Sequence, residues 1–575
     1  MVSFTIGLSE APIERAEIYF LDAARAMVET SDWLVPHYQG EPFYDKPPLT
    51  YWLLAASFQL FGPSLFAGRL VAAILALATL AATFFFTKKL MAPFEDGHSR
   101  VETLRAAFMA TAILASSYAF VSFARLTMSD MLLTLLTLLA GGGYLRWESG
   151  GRPRWLLACG VSLGLGFLTK GPVAWIYFGA LLVAFVLVER RLPLIFNPAG
   201  LLGTIAAVTV GLGWFVRVYE REGLEPLRWF FLRENLQRFT AQTYDTDQPF
   251  WYYALIYGVE GLPWSILILP AAIFAFRANS PRVFRVVLIW ALLMLVPLSL
   301  SKGKIDYYLL PLLPPLSILT GAYLSIGSPS SRTLRWFGGL CALLLTLATF
   351  FPMLPLPWGP DAAQVRALHT FLLVAAIVCL FTTLRPRPVS MIAACSASVL
   401  GTATWLFAVI VPAYRSAQPT DALLDHIARE RVFTPDLRVA VCDDTLRLRR
   451  DLLFSLRLPV LEQCELWAVA SSLKKFLILT TPAEEAALRK AEGIRHIATV
   501  DLLPADVTRV GTLLKGPKAS TLGLLANFQT SDPVARWKRN REFKRWLDTD
   551  EGLAQRAIEE RRVEEEERRH RLKVK

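Results

Sequence analysis

The sequence is short of charged residues. Only 19% of its 575 residues are Asp, Glu, Lys or Arg, whereas 54% are hydrophobic. A soluble chain of this size would carry about a quarter charged residues. Instead, apolar runs recur in series and reach bilayer-spanning length, roughly 17–25 residues, once their flanks are counted. This pattern excludes one large soluble core and indicates a multi-pass, all-α membrane domain.

Cysteine is also scarce, which argues against a disulfide framework or a structural zinc site. None of the six cysteines has the spacing of metal ligands. Cys442 and Cys464 lie in the polar C-terminal region, where a disulfide and two buried free thiols are both open. The others lie within apolar runs and are interpreted as packing residues: Cys159, Cys341, Cys379 and Cys395.

The net charge of +12 reflects topology rather than nucleic-acid binding, because the cations cluster between apolar runs. We predict twelve spans, and basic clusters follow every second one. The positive-inside rule places those clusters in the cytoplasm. It therefore places residues 1–65, 220–250 and those after about 413 outside it. The predicted spans are 66–87, 103–123, 131–147, 155–170, 172–189, 199–219, 251–276, 284–301, 307–326, 335–352, 367–384 and 389–412.

The N-terminal segment presents a problem for this topology. Residues 1–46 contain neither a span nor a signal peptide. An external N-terminus needs an element that exports it, so we expect a thirteenth helix upstream. The alternative is that the later spans carry a short tail across the membrane.

The composition changes after Ala413. Leu437–Cys442 and Phe476–Thr481 have the length and pattern of strands, and Leu446–Leu456 and Ala483–Glu492 have helical character. We therefore expect a small extracytoplasmic α/β domain. Four parts are predicted: the first external loop with juxtamembrane helices (1–65), the transmembrane domain (66–413), the α/β domain (414–530) and a charged tail (531–575).

The most informative segment is the first external loop, 31–52, which reads SDWLVPHYQGEPFYDKPPLTYW. The rigid Pro47-Pro48 pair is expected to hold Asp45 and Lys46 just outside the bilayer. A cation at that depth suits a phosphate, and a carboxylate can orient a sugar, a metal or the lysine itself.

Four cations break the topology rule. Arg125, Lys170, Lys302 and Lys304 lie at span ends on the side that is otherwise poor in basic residues. Ionisable residues at membrane depth are functional candidates, and a phosphate at the membrane surface is a suitable partner for them. The alternative is structural pairing with Asp or Glu; Asp130, for example, could neutralise Arg125.

The loop resembles that of the aminoarabinose lipid A transferases and their protein O-mannosyltransferase-like relatives, which share the GT-C fold. Further segments similar to family motifs follow in the family's order and extend the resemblance over roughly residues 14–325. They are Ala124–Met131, Phe167–Gly171, Glu234–Phe239 and Ser301–Pro311. The matching loop positions are Met27, Asp32, Trp33, Val35, Pro36, Gly40, Lys46, Pro47, Pro48, Tyr51 and Trp52.

The resemblance implies a set of site residues. Relatives carry an Asp-Glu pair where this chain has Ala16 and Glu17, so Glu17 is the leading catalytic carboxylate, followed by Asp130 and Asp45. Glu17 could instead be a solvated residue of an amphipathic helix, and Asp130 a helix cap. The donor-phosphate candidates are Lys46, Lys170, Arg238, Lys302, Lys304 and Arg125, and the substrate-lining candidates are Tyr44, Tyr307 and Tyr308.

Asn235 marks a second departure from the aminoarabinose transferases. The family has a histidine there, associated with a metal together with the residue that matches Asp45. We therefore predict no metal-binding residues, although a divalent cation near Asp45 stays open. His37 is near Asp45 in sequence, but one histidine and one carboxylate are weak evidence for a metal.

The predicted function is transfer of a sugar from undecaprenyl phosphate to lipid A or another envelope glycolipid, on the periplasmic face of a bacterial inner membrane. The partners are then a polyprenyl-phosphate sugar, a lipid or glycolipid acceptor and the bilayer, with no nucleic acid. Three alternatives remain: a protein O-mannosyltransferase-like enzyme, a polytopic transporter or flippase, and a non-catalytic relative.

Overall fold

The computed structural model describes residues 2–11, 16–91, 100–190, 197–240, 248–278, 280–350 and 362–416, together with five strands between residues 438 and 526. The chain divides into two units, Met1–Arg415 and Ser416–Lys575. The described part of the first unit is helical apart from its loops and one short hairpin. Every predicted span contains helix. The helices are Val2–Thr5, Glu17–Thr30, Leu49–Phe61, Leu65–Met91, Arg100–Ala115, Tyr118–Phe123, Ser129–Glu148, Arg154–Lys170, Val173–Glu189, Pro198–Glu222, Glu225–Arg228, Trp229–Gln237, Arg238–Thr240, Tyr252–Glu260, Trp264–Leu267, Ile268–Ala275, Arg282–Leu300, Asp306–Leu312, Leu313–Ile326, Ser331–Ala348, Ala362–Leu384, Pro388–Trp405, Leu406–Ile410 and Val411–Ser416.

Six helical segments of the described residues are long and apolar enough to cross a membrane. A seventh forms if Tyr252–Glu260 and Trp264–Ala275, which meet at 113°, count as one span. The sequence predicted a single span over 251–276. The bend lies at Gly261 and Pro263, where proline cannot continue a helix's hydrogen bonds. The six are Leu65–Met91, Pro198–Glu222, Arg282–Leu300, Asp306–Ile326, Ala363–Leu384 and Pro388–Ala413.

Small residues let Arg154–Lys170 approach Pro198–Glu222 closely. A Cβ atom on Gly160 would lie 1.9 Å from the Gly203 carbonyl oxygen, so only glycine fits there. Membrane helices commonly pack through such small residues because lipid offers no hydrophobic drive for association. This contact fixes the helix that ends at Lys170.

Hydrogen bonds from two tryptophan side chains hold the first loop in place. The indole Nε1 of Trp52 donates to the Trp33 carbonyl at 2.7 Å, and that of Trp214 donates to the Leu34 carbonyl at 2.9 Å. A short antiparallel hairpin, His37–Tyr38 with Glu41–Pro42, follows. Pro48 then begins the helix Leu49–Phe61, so Asp45 and Lys46 come directly before a helix N-terminus.

The second unit contains a five-stranded mixed sheet. Its strand order is Val460–Glu462, Arg438–Val441, Phe476–Thr480, Ser520–Ala526 and Arg495–Leu502. The first three strands are parallel, and the remaining pairings are antiparallel. Two strands fall where the sequence predicted them. The predicted helices 446–456 and 483–492, Cys442, Cys464 and the tail 531–575 lie outside the described residues.

Candidate functional site

A cavity of about 140 Å³ lies where the first loop meets the ends of several helices. Both charged and apolar side chains line it. Its lining residues are Asp45, Lys46, Asp130, Leu133, Lys170, Val173, Ile176, Tyr177, Phe230, Glu234, Asn235, Arg238, Phe239, Pro297, Leu298, Ser301, Gly303 and Tyr308. The sequence singled out six of these as site residues: Asp45, Lys46, Asp130, Lys170, Arg238 and Tyr308.

Lys170 and Asp130 form an ion pair in the cavity wall, with Nζ and Oδ1 2.5 Å apart. Asp130 lies in the first turn of Ser129–Glu148, and Lys170 is the last residue of Arg154–Lys170. These positions also suit the helix dipoles, which favour an anion at the N-terminus and a cation at the C-terminus. The Lys170 Nζ lies 4.0 Å from the centre of the Tyr308 ring. The lysine is therefore held by a carboxylate and an aromatic face.

Lys46 and Arg238 converge on Glu234. The Lys46 Nζ lies 3.5 Å from Glu234 Oε2, and the Arg238 Nη1 donates to the same oxygen at 3.2 Å. The Lys46 Nζ also donates to the Asp45 backbone carbonyl at 2.8 Å. Only 1% of the Glu234 side chain is exposed, compared with 18% of Lys46 and 23% of Arg238. One buried carboxylate thus holds two cations at the cavity.

Glu234 is carried by a π-helix, Trp229–Gln237. Such helices are rare and occur often at functional sites. Gly171 makes the approach of this helix possible: its φ is +68°, and a Cβ atom there would lie 2.6 Å from the ring of Phe230. The glycine after Lys170 therefore brings the Lys170 and Glu234 helices together.

Asp45 lies outside the predicted spans, and its surroundings alter the pKa of its carboxyl group. Burial raises its pKa above the usual 3.8, and the negative charge of Glu234 acts in the same direction. Lys46 and a hydrogen bond from the Trp229 indole, 3.2 Å from Oδ1, oppose that rise. The net effect favours the neutral carboxyl more than water would.

Glu17 lies elsewhere. It does not line the cavity, and its side chain is fully buried. Arg69 Nε and Nη2 donate to its two oxygens at 3.0 and 2.7 Å, and the Thr127 backbone N–H donates to Oε1 at 2.8 Å. Arg69 also donates to the carbonyls of Leu8 and Ala11, each at 2.8 Å. This network joins the N-terminal segment to two other parts of the bundle.

The other sequence-based candidates also lie outside the cavity lining. Arg125 donates to the carbonyls of Ser3 and Ile6 and stacks on Phe407. Lys304 is buried and donates to the Gln248 and Ser301 carbonyls at 2.8 and 2.6 Å. Lys302 is exposed, Tyr44 is half-buried, and Tyr307 packs edge-on against Tyr308.

The described residues contain no group of three or more His, Cys, Asp or Glu side chains that could hold a metal ion. Asn235 and Asp45 both line the cavity, but the Asn235 amide donates to the Phe230 carbonyl at 2.7 Å. A neutral amide and one carboxylate make a weak ligand set for a divalent cation. The cation near Asp45 therefore gains no support from the donor set.

Glu234 is the charged residue of the cavity lining that sequence reasoning missed. It stood inside the recognised segment Glu234–Phe239, four residues before Arg238, and residues at that spacing share a helix face. That spacing could have indicated the Glu234–Arg238 pair. The approach of Lys46, from a loop almost two hundred residues earlier, could not be read from local sequence.

The chain is similar to known proteins in sequence and in fold. Residues 45–214 match the family described as dolichyl-phosphate-mannose-protein mannosyltransferase. The chain is 29% identical over 449 residues to an undecaprenyl phosphate-alpha-4-amino-4-deoxy-L-arabinose arabinosyl transferase of Pseudomonas aeruginosa, covering 76% of each protein. It is 32% identical over 368 residues to the transferase of the same name from Aeromonas hydrophila, covering 61% of this chain and 64% of that protein.

Among solved structures, the fold is similar to that of ArnT from Cupriavidus metallidurans bound to undecaprenyl phosphate. The TM-score is 0.71 at 21% identity, and the match covers 92% of this chain and 97% of the other. The apo structure of the same protein gives a TM-score of 0.69 at 20% identity. These matches confirm the GT-C fold and the resemblance to lipid-linked-sugar glycosyltransferases that the motifs predicted. The chain is a multi-pass membrane protein.

Proposed function

We propose that this protein is a membrane glycosyltransferase that takes a sugar from an undecaprenyl-phosphate donor and transfers it to lipid A or another envelope glycolipid. The observation that carries the proposal is the cavity itself. Lys46, Lys170 and Arg238 line one cavity together with Asp45 and Asp130. The named relatives are transferases of an undecaprenyl-phosphate sugar.

The three cations suit the leaving group of this reaction. The bond between the anomeric carbon and the phosphate oxygen breaks, and the departing undecaprenyl phosphate gains negative charge. Cations fixed beside that oxygen stabilise the transition state more than the ground state. The apolar wall formed by Leu133, Ile176 and Leu298 suits the first isoprene units beside the phosphate.

The carboxylates serve the acceptor side of the reaction. A direct displacement forms the new bond between the anomeric carbon and an acceptor oxygen, with inversion. A hydroxyl acceptor must release its proton, and Asp45 or Asp130 is the group placed to accept it. An acceptor phosphate is already ionised, and the carboxylates then orient the sugar. Glu17 takes no direct part, because Arg69 and Thr127 engage its carboxylate away from the cavity.

The proposed topology places this cavity at the outer face of a bacterial inner membrane. The twelve predicted spans put the first loop and the C-terminal α/β domain in the periplasm. The placement of the basic clusters supports this orientation.

A protein acceptor is the second candidate. The match of residues 45–214 to the protein mannosyltransferase family favours it. The chemistry at the anomeric carbon would be unchanged, but a Ser or Thr hydroxyl would then require the carboxylate base.

Turnover with defined substrates tests the proposal. The purified full-length protein is incubated with undecaprenyl-phosphate sugars, and the release of undecaprenyl phosphate is measured with lipid A, a Ser/Thr peptide or no acceptor. We expect release that depends on lipid A. Release that depends only on the peptide would favour the second candidate. No release with any pair, accompanied by movement of the donor across proteoliposomes, would replace the enzyme with a transporter.

A further inference from the structure

Glu234 lies where the phosphate of a bound donor would contact Lys46 and Arg238. Its Oε2 lies 3.2 Å from Arg238 Nη1 and 3.5 Å from Lys46 Nζ, at the cavity wall. A phosphate oxygen held by the same two cations would have the same charge and nearly the same position. The carboxylate oxygen and a phosphate oxygen cannot occupy this position together.

The charges of the cavity lead to the same point. Lys46, Lys170 and Arg238 face Asp45, Asp130 and Glu234. The Lys170 charge is matched by Asp130, and Lys46 and Arg238 share Glu234. In this arrangement each of the three cations already has a carboxylate partner, which a buried charge needs. A phosphate that enters beside an unmoved Glu234 would meet a like charge in a poorly solvated space.

The backbone gives Glu234 a way to move. In the π-helix Trp229–Gln237, each backbone hydrogen bond spans one more residue than in an α-helix. Short π-helical segments are uncommon and are less regular than the α-helices they interrupt. A change in the hydrogen bonds of this π-helix would turn the Glu234 side chain to a different direction.

Tyr51 offers a place for the displaced carboxylate. Its side chain is fully buried, and its hydroxyl has no hydrogen-bond partner among the described residues. Both Asp45 and Glu234 lie near enough to raise its pKa, in addition to the larger effect of burial. A buried hydroxyl without a partner is costly, so an incoming carboxylate oxygen would satisfy it.

We propose that Glu234 is a positioning residue that substitutes for the donor phosphate in the substrate-free protein. Its carboxylate holds Lys46 and Arg238 in place, and the phosphate of the lipid-linked sugar replaces it between them. The exchange makes binding selective for an anionic head group, since a neutral lipid cannot displace the carboxylate. This inference rests on the proposed function and adds a determinant of donor affinity to it.

Binding of undecaprenyl phosphate to the purified full-length protein tests the exchange. Glu234→Gln keeps the size of the side chain and one acceptor oxygen but removes the competing charge. We expect it to bind undecaprenyl phosphate about tenfold more tightly than the wild type and to lower the KM for the donor more than it changes kcat. Glu225→Gln is the matched control, because Glu225 is exposed and pairs with Arg228 at the surface. It should bind like the wild type.

Two further variants test the route of the effect. In a Lys46→Ala background, Glu234→Gln should increase the affinity for undecaprenyl phosphate clearly less, because one of the two cations that Glu234 and the phosphate compete for is gone. Tyr51→Phe should weaken binding more in the wild type than in Glu234→Gln, because the Tyr51 hydroxyl stabilises a displaced carboxylate more strongly than a displaced neutral amide. Equal effects in both backgrounds would show that neither residue acts through Glu234.

The failures of the two proposals are distinguishable. If the wild type binds undecaprenyl phosphate, Lys46→Ala weakens binding and Glu234→Gln binds no more tightly than the wild type, Glu234 is a structural support and the exchange is wrong. If the wild type binds no undecaprenyl phosphate at all, the proposed function is wrong and the exchange is wrong with it. Unfolding temperatures measured for every variant identify any loss that comes from misfolding.

Discussion

Arg69 and Glu17 form a two-pronged ion pair in the bundle interior, with Arg69 Nη2 and Glu17 Oε2 2.7 Å apart and both side chains almost fully buried. The pair joins the helix Leu65–Met91 to the helix Glu17–Thr30, and its other hydrogen bonds reach Leu8, Ala11 and Thr127. The residue that sequence comparison ranks first among the catalytic carboxylates is thus part of an internal structural network.

Glu17→Gln should therefore lower the stability of the protein much more than its kcat. Leaving Arg69 without its anion in the interior costs roughly 3–5 kcal/mol, which predicts a clearly lower unfolding temperature. The folded fraction should keep a kcat within about threefold of the wild type. A fall in kcat of a thousandfold at an unchanged unfolding temperature would instead make Glu17 catalytic.

Lys170→Ala should behave in the opposite way. Lys170 is one of the groups proposed to stabilise the departing phosphate, and losing one such group lowers kcat by about 10²–10³-fold. Arg217→Ala removes an exposed cation that pairs with Glu220 at the surface, and it should change neither kcat nor stability measurably. Equal activity of Lys170→Ala and Arg217→Ala would remove Lys170 from the site.

Gly171 should tolerate no side chain. An alanine there would combine a φ of +68° with a Cβ atom 2.6 Å from the Phe230 ring. The left-handed backbone alone costs about 1–2 kcal/mol for a residue with a Cβ, and Phe230 would shift the helix that carries Glu234. We expect Gly171→Ala to lose at least tenfold in kcat/KM. Gly179→Ala is the control, since nothing lies within 4 Å of its added Cβ.

Asp45 should give the pH profile an acid limb at an unusually high pH. Burial and the Glu234 charge raise the pKa of Asp45 above 3.8, so the carboxylate that the proposed reaction uses is lost sooner as the pH falls. Asp45→Asn should abolish the limb together with most of the activity. Glu234→Gln removes one cause of the rise and should move the limb to lower pH. A limb that stays in place would show that another group titrates.

The sequence carried enough information to predict the membrane class, the fold and five of the six charged residues that line the cavity. Lys170 could be predicted because a lysine on the cation-poor side of a membrane stands out from its surroundings, and Lys46 because it belongs to the motif of the first loop. Asp130 and Arg238 followed from motif segments that keep their order along the chain. These are local signals that survive without knowledge of which helices touch.

What could not be predicted depends on contacts between distant segments. The partner of Glu17 lies 52 residues away, and a buried arginine cannot be told from a surface one by its neighbours in sequence. Lys304 and Arg125 were predicted as phosphate ligands because they break the topology pattern, and the carbonyls that they bind carry no sequence signature. The π-helix and the convergence of Lys46 and Arg238 on Glu234 likewise arise only from packing.

The most direct test of the central claim is a single-turnover measurement with an undecaprenyl-phosphate sugar and lipid A, comparing the wild type with Lys46→Ala. Lys46→Ala should keep the unfolding temperature of the wild type and release undecaprenyl phosphate at least a hundredfold more slowly. Release at the wild-type rate from a folded Lys46→Ala protein would show that the donor phosphate binds elsewhere, and would contradict the account.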